Sequence, residues 1–448
     1  MPEVGEQAVI KAIKNSALTL TRRVEQYDAL VDRMAQASFV LIGGATHGTH
    51  EFYHQRAEIT KRLIQEKGFQ AVAIEADWPD AYQVHRFVTS SRATTDGADA
   101  LSGFRHFPTW MWRNRVVQDF VEWLHAHNGS LPPGEPKAGF FGLDLYSLYS
   151  SIKSVLDYLR KVDPPAAERA RFRYSCFDHF GENTEAYGYA ASLEMDESCE
   201  KVVIEQLTDL QKSALDYMRR DGQVAEEEYF QVIQNARLVK NAEKYYREMF
   251  RGRVSAWNIR DTHMTESLEA LAEHLRQRGE PAKLVIWAHN SHIGDAAATE
   301  FGQQGELNLG QLIRQKHPED CFLLGFTTYE GTVTAASDWG APAETKRVRP
   351  ALRGSYEELF HRTGISRFLI TLWDYEAAIG ELKQARLERA IGVIYRPESE
   401  RISHCFYARL SDQFDAVIHL DKTRAVEPLE SAPQPLEAEP AETYPSAL

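Results

Sequence analysis

The feature that most constrains the fold of this chain is a set of short apolar runs that do not alternate with polar residues. Ser38–Ile42 (SFVLI), Gln70–Ile74 (QAVAI), Gly139–Leu143 (GFFGL) and Lys283–Trp287 (KLVIW) are each continuous. Strands of that kind must be buried on both faces, as in a largely parallel sheet covered by helices. Helical patterns such as Glu51–Lys67 and Arg113–Ala126 lie between them. The alternation predicts an α/β fold, a largely parallel or mixed sheet flanked by helices. Cys321–Phe326, Arg367–Leu372, Ala390–Tyr395 and Asp415–His419 read as further strands, and Thr327–Ala335 and the later runs look antiparallel.

Residues 146–280 break this rhythm. Stretches such as Glu194–Arg220 and Ala225–Met249 are helical in pattern, rich in Glu, Lys, Arg, Leu and Tyr, and no strand interrupts them. They predict an all-helical insertion or subdomain between the two parts of the α/β core, residues 1–145 and 281–426. Residues 427–448 are rich in Pro, Glu and Ala without periodicity, which predicts a disordered tail.

A net charge of −14 repels phosphate backbones and anionic lipid, so neither nucleic acid nor a membrane surface is an expected partner. No apolar stretch approaches the roughly 18 residues of a membrane helix, and the N-terminus lacks the apolar core of a signal peptide. The cysteines, Cys176, Cys199, Cys321 and Cys405, show no C-x-x-C spacing. Such sparse cysteine fits a reducing compartment without disulfides, and together these features predict a cytoplasmic protein.

The chemistry lies at the carboxyl end of each continuous run. SFVLI leads into GGATHGTHEF, with His47, His50 and Glu51. QAVAI ends in Glu75, with Asp77 two residues on. GFFGL runs into Asp144, and KLVIW into His289 and His292. Ligands of open α/β sheets bind beyond the carboxyl ends of the strands, so the four ends predict one convergent polar site. Thr49 is placed to cap the helix after His47. On that helix Arg56 shares the apolar line of Phe52, Ile59 and Leu63, and an inward arginine needs a partner, for which Glu75 is the natural candidate. Trp110 and Trp112 in FPTWMWRN are pocket wall or ordinary core. Arg260 and His263 in SAWNIRDTHM are i, i+3 neighbours facing either the site or solvent, and Asp144 and Asp77 are site groups or turn caps. There is no G-x-S-x-G elbow, no dinucleotide or phosphate loop and no H-E-x-x-H.

GATHGTHEF, with Arg56 and Glu75 beyond it and AHNSHIGD at Ala288–Asp295, resembles the erythromycin esterase family. AIEADWPDAYQVHRFV, FPTWMWRN, WNIRDTHM and YEGTVTAASDWGAPAE strengthen the resemblance, which runs from about residue 17 to 430. It is closest to a bacterial branch sometimes labelled as succinoglycan biosynthesis proteins. The resemblance implies hydrolysis of an ester or macrolactone, the chemistry of macrolide resistance, by water activated at histidine without metal or cofactor. It implies His47 as general base, with Glu75, Arg56, His289 and His292 in the site. The family pattern at the strand end is G-E-A-T-H, whereas this chain has Gly44 in place of the glutamate. Either Glu75 or Glu51 takes over that role, or the chain is a catalytically impaired binding protein.

The reading adopted is a hydrolase of a small-molecule ester or lactone, with His47, Glu75, Arg56, His289 and His292 catalytic and Trp110, Trp112, Asp144, His50, Arg260 and His263 at the substrate. A metal-dependent hydrolase using the same histidines, for zinc or manganese, is the alternative.

Overall fold

The computed structural model describes residues 2–21, 24–90, 96–180, 183–193, 198–218, 223–250, 252–279, 282–372 and 382–430. One nine-stranded sheet carries the fold. Its middle is parallel, in the spatial order β11 (Ala416–Thr423), β6 (Cys321–Ala335), β2 (Phe39–Ile42), β5 (Leu284–Trp287), β3 (Ala71–Asp77) and β4 (Gly139–Asp144). Antiparallel strands finish the other side. β8 (Arg367–Thr371) pairs with β11, β1 (Leu18–Thr19) with β8, and β7 (Glu344–Val348) with the far half of β6. β9 (Arg386–Arg389) and β10 (Cys405–Ala408) form a separate hairpin-like pair.

Successive side chains of a strand point to opposite faces, which explains why the runs are continuous. Val40, Ile42, Val72, Ile74, Val285 and Trp287 pack against helices His50–Lys67, Trp78–Thr89 and Arg115–Ser130. Phe39, Leu41, Ala71, Ala73, Leu284 and Ile286 pack on the other face, in one core with the helices of residues 148–277. Local signals set the helix ends. Thr49 is the N-cap residue of His50–Lys67, but its hydroxyl bonds that of Thr46 at 2.6 Å rather than the helix, and Gly68 ends the helix at φ 71°. Pro79 stands in the first turn of Trp78–Thr89, and the Asn114 side chain accepts from Val117 N at 3.0 Å.

Between β4 and β5 the described residues hold helices and no strand. The longest are Gln223–Met249 and Arg253–Gln277. No helix among the described residues is long and apolar enough to cross a membrane.

Several expectations need correction. Thr327–Ala335 continues β6 and is antiparallel only in part: it pairs antiparallel with β7 over Gly331–Ala335 but parallel with β11 over Thr327–Gly331. Ala390–Tyr395 is not a strand; it lies across the ends of β2 and β6, where Ile391 N donates to Ala45 O at 2.8 Å and Ala336 N to Val393 O at 2.9 Å. The tail does not begin at 427. Arg115 N donates to Glu427 O, and Arg113 takes Leu429 N on its carbonyl and pairs with Glu430, so the chain is held to residue 430. Residues 431–448 lie outside the described residues. Cys176 and Cys199 are joined in a disulfide, because folding of the helices brings their Cα atoms to 6.0 Å, a proximity that a 23-residue separation conceals. Cys321 and Cys405 are free thiols.

Trp287 is fully buried, packs on Phe120 at 4.7 Å and donates to the Thr60 hydroxyl at 2.9 Å. Trp287→Ala should lower stability by about 3–5 kcal/mol in urea denaturation. Ile402, 89% exposed, is the control, and Ile402→Ala should change stability by less than about 0.5 kcal/mol.

Candidate active site

The first turn of the site is pinned from several sides. After β2 the chain passes through Gly43, Gly44, Ala45 and Thr46 to His47. A Cβ on Gly48 would lie 1.8 Å from Thr334 O, so only glycine lets the loop pass β6. Gly48 O accepts Thr334 N at 3.0 Å and Val426 N at 2.8 Å, and Tyr53 Oη donates to His47 O at 2.9 Å. His47 is thereby held 6% exposed at the wall of a cleft.

Glu75, on β3, is the hub. Its Oε1 receives Arg260 Nη2 at 3.0 Å and lies 3.3 Å from His292 Nε2 and 3.8 Å from His47 Nε2. Its Oε2 accepts the His289 backbone N–H at 2.8 Å. Arg260 also grips Asp144, at the end of β4, through Nε at 2.9 Å and Nη2 at 2.6 Å, and lies over the Tyr146 ring. His292 hydrogen-bonds through Nδ1 to Asp261 at 2.9 Å and stacks on Trp257 at 4.5 Å. His289 caps the turn Asn290–Ile293 by accepting Ser291 N on Nδ1, which leaves the proton on Nε2. That Nε2 is buried without a normally formed hydrogen bond, and its ring lies 4.8 Å from that of His47.

Burial and neighbours sort these groups into charged and neutral. Burial pushes His47 down to about 4; Glu75 opposes the drop and Arg56 adds to it. Burial and His47 hold His289 well below the ordinary histidine value. His292 goes the other way. Burial would lower it, but Asp261 and Glu75 push it up to about 9, so it is a cation at neutral pH. Burial would raise Glu75, yet His292, His47 and Arg260 keep it well below the usual carboxylate range. Arg260 and His292 thus meet the carboxyl groups of Glu75, Asp144 and Asp261.

The Arg56–Glu75 pair read from the sequence does not form. Arg56 is buried, as the apolar line requires, but donates to the carbonyls of Gly43 (Nε, 2.6 Å) and Ala288 (Nη2, 2.6 Å), and burial lowers it to about 10. Arg260 takes the carboxylate instead. A Cβ on Gly44 would lie 2.6 Å from Arg56 Nη2, so the guanidinium fills the space beside that glycine.

The cleft has a free volume of about 740 Å³, counting its part open to solvent, and its walls include His47, Glu75, Asp144 and Arg260. Trp112 lines it and donates through Nε1 to Glu75 O at 3.0 Å. Trp110 is core, edge-on to Phe107 and away from the cleft wall. His50 is half-buried at the surface against Arg424. His263 is buried on another side of its helix, bonded to Asn241 Nδ2 at 2.9 Å and lining a separate groove with Glu266. His289, His292 and Arg56 stand behind the cleft wall rather than on it. Phe107, from the same FPTWMWRN block, lines the cleft, and sequence reasoning missed Asp261, Tyr146, Asp80, Phe104 and Trp339. Asp261 was detectable in principle, since a buried His292 needs an acceptor for its second nitrogen. Among the described residues no three His, Cys, Asp or Glu side chains are grouped to hold a metal ion. Glu75, the carboxylate that such a centre would need, is taken up by Arg260, His292 and the His289 amide.

Residues 64–423 match the family model described as erythromycin esterase. The chain belongs to the erythromycin esterase family. It is 20% identical over 400 residues to the putative hydrolase YbfO of Bacillus subtilis (strain 168), covering 85% of this chain and 83% of that one. It is 20% identical over 406 residues to the erythromycin esterase type II of Escherichia coli, covering 82% and 91%. The crystal structure of a succinoglycan biosynthesis protein superposes with a TM-score of 0.75 at 20% identity, covering 94% of this chain and 98% of that one. The family supports a hydrolase.

The raised His292 value contributes stability that is fully present below its ordinary value of 6.5 and is lost as pH rises through about 9. Asp261→Asn should bring the His292 titration, followed by NMR of labelled histidine, closer to 6.5 than to 9. The fall in melting temperature between those pH values should shrink with it.

Proposed function

We propose that the chain hydrolyses a carboxylic ester or lactone with water activated by His47, without a covalent intermediate. The observation that carries the reading is the 3.8 Å gap between His47 Nε2 and Glu75 Oε1 at the cleft wall. One water oxygen about 2.8 Å from each atom fits that gap. His47 is unprotonated at neutral pH and so ready to accept a proton. A base held at about 4 is intrinsically weak. Glu75 offsets this, because the buried carboxylate stabilises the imidazolium as it forms, and so does the negative charge growing on the substrate. Arg260 is the fixed cation on the cleft wall and the group best placed to stabilise the tetrahedral oxyanion.

His289 and His292 act from behind. The His289 amide and cationic His292 orient Glu75, and the His289 ring packs against His47. Phe104, Phe107, Met111, Trp112 and Trp339 give the cleft an apolar, aromatic side suited to an apolar substrate body.

His47→Ala should cut hydrolysis of ester and lactone substrates by about 10²–10⁴-fold while leaving circular dichroism and melting temperature unchanged. In the wild type the acid limb of kcat/KM should fall near pH 4 rather than near 6.5. Wild-type turnover in the alanine variant would remove His47 from the reaction.

The Gly44 question has a definite expectation. A side chain there must drive Arg56 from Ala288 O, which ties the ends of β2 and β5 together. Gly44→Glu should therefore lower activity, on the order of tenfold to 100-fold, through misplacement of His47 and His289. Activity that rises, or appears only, in this variant would mark the wild-type cleft as catalytically impaired.

A further inference from the structure

The reaction read above leaves one proton unassigned. Water yields its proton to His47, but the alkoxide released when the ester C–O bond breaks must also be protonated. Cationic His292 is locked between Asp261 and Glu75 and is absent from the cleft wall, and His289 stands behind His47.

Asp77 does face the cleft. It closes β3 two residues beyond Glu75, opposite Asp144 in the strand register, and it is 8% exposed. Its Oδ1 accepts the Tyr146 N–H at 2.7 Å, and Oδ2 has no hydrogen bond among the described residues. Asp80, in the first turn of the following helix, lines the cleft beside it. The carboxylates of this cleft therefore divide. Glu75 and Asp144 share Arg260, whereas Asp77 and Asp80 have no ion-pair partner among the described residues. A buried carboxyl without a cation, next to other carboxylates, is stable as the neutral acid.

We propose, building on the hydrolase reading, that Asp77 is the proton donor to the leaving group of this reaction, with Asp80 as its partner carboxylate. As the tetrahedral intermediate collapses, the C–O bond electrons pass to the alkoxy oxygen, which takes the proton of the Asp77 carboxyl. The products are the carboxylic acid and the alcohol. The proton that His47 took from water then returns to Asp77 through solvent, and no further reactant is needed. The electrostatics agree. Burial, Asp80 and Asp144 push Asp77 above the usual carboxylate range, while His106 and the Tyr146 N–H pull it down. Burial also raises Asp80, against His106 and Arg105. Of the other charged groups lining the cleft, Arg260 lies between Glu75 at 3.0 Å and Asp144 at 2.6 Å.

The test is leaving-group dependence. Asp77→Asn keeps an acceptor for Tyr146 N–H and so preserves the turn. Against an alkyl ester, whose alkoxide must be protonated, it should lower kcat by about 100-fold or more. Against the p-nitrophenyl ester of the same acid, whose phenolate leaves unaided, the loss should stay within about threefold. The alkaline limb of the alkyl-ester profile should vanish in Asp77→Asn and move to lower pH in Asp80→Asn. Infrared spectra of resting wild-type enzyme at pH 7 should show a protonated-carboxyl band that Asp77→Asn removes. Equal losses on both esters, no loss on either, or an infrared spectrum unchanged by the substitution would overturn the assignment with hydrolysis intact. A wild type inactive on every ester and lactone would overturn the hydrolase reading itself, and this proposal with it.

Discussion

One buried guanidinium holds the site together. Arg260 comes from the helical segment between β4 and β5, and it reaches Glu75 on β3, Asp144 on β4 and His292 after β5. It thus joins the helices over one face of the sheet to three strand ends that are distant in sequence. A buried ion is costly, and the cost is recovered only where geometry and partners are complete. Here the carboxylates recover it: Nε and Nη2 meet Asp144 and Glu75 and the guanidinium covers the Tyr146 ring, which offsets the repulsion between Nη1 and cationic His292 at 3.1 Å. Removing both carboxylates would leave the buried guanidinium without a counter-charge. The helical segment and the strand ends are therefore bound to one arrangement, and His47 and Glu75 inherit their spacing from it.

The centre of the fold was legible because its driving force is local. A run such as QAVAI or KLVIW is buried on both faces or not folded at all, and polar residues gather at its carboxyl end. His47, Glu75, His289 and His292 could be read from those ends, and the structure brings them together. What escaped were features whose partners are remote. β7 reads as charged ETKRV and becomes a strand only because β6 extends to meet it. AIGVIY has the composition of a strand yet serves as a strap across the ends of β2 and β6.

The site shows the same limit at finer scale. The inward position of Arg56 was readable from the line of Phe52, Ile59 and Leu63, and so was its need for partners. Which partners was not readable, because strand-end carbonyls satisfy a guanidinium as well as a carboxylate does and leave no trace in the sequence. Arg260 and His263 looked equivalent at i, i+3. Packing separated them, one toward Glu75 and the other toward Asn241. The resemblance to the family pointed to most of these residues, but its pattern at Gly44 raised a question that only geometry addresses. The space beside the glycine belongs to Arg56.

That geometry also bears on how a site without the usual glutamate stays balanced. Among the described residues Arg56 has no carboxylate partner, so its charge acts on its surroundings and helps to depress His47. A carboxylate at position 44 would cancel this and make His47 a stronger base, yet it would also release the clamp on Gly43 O and Ala288 O. The chain has the clamp and a weaker base. In the proposed reaction Glu75, held ionised by His292 and Arg260, compensates from 3.8 Å, so that the imidazolium is stabilised where it forms rather than before. A rigid scaffold and a weak base suit a reaction in which charge develops on the substrate at the same moment as on the histidine. Under those conditions preorganised electrostatics contributes more than ground-state basicity.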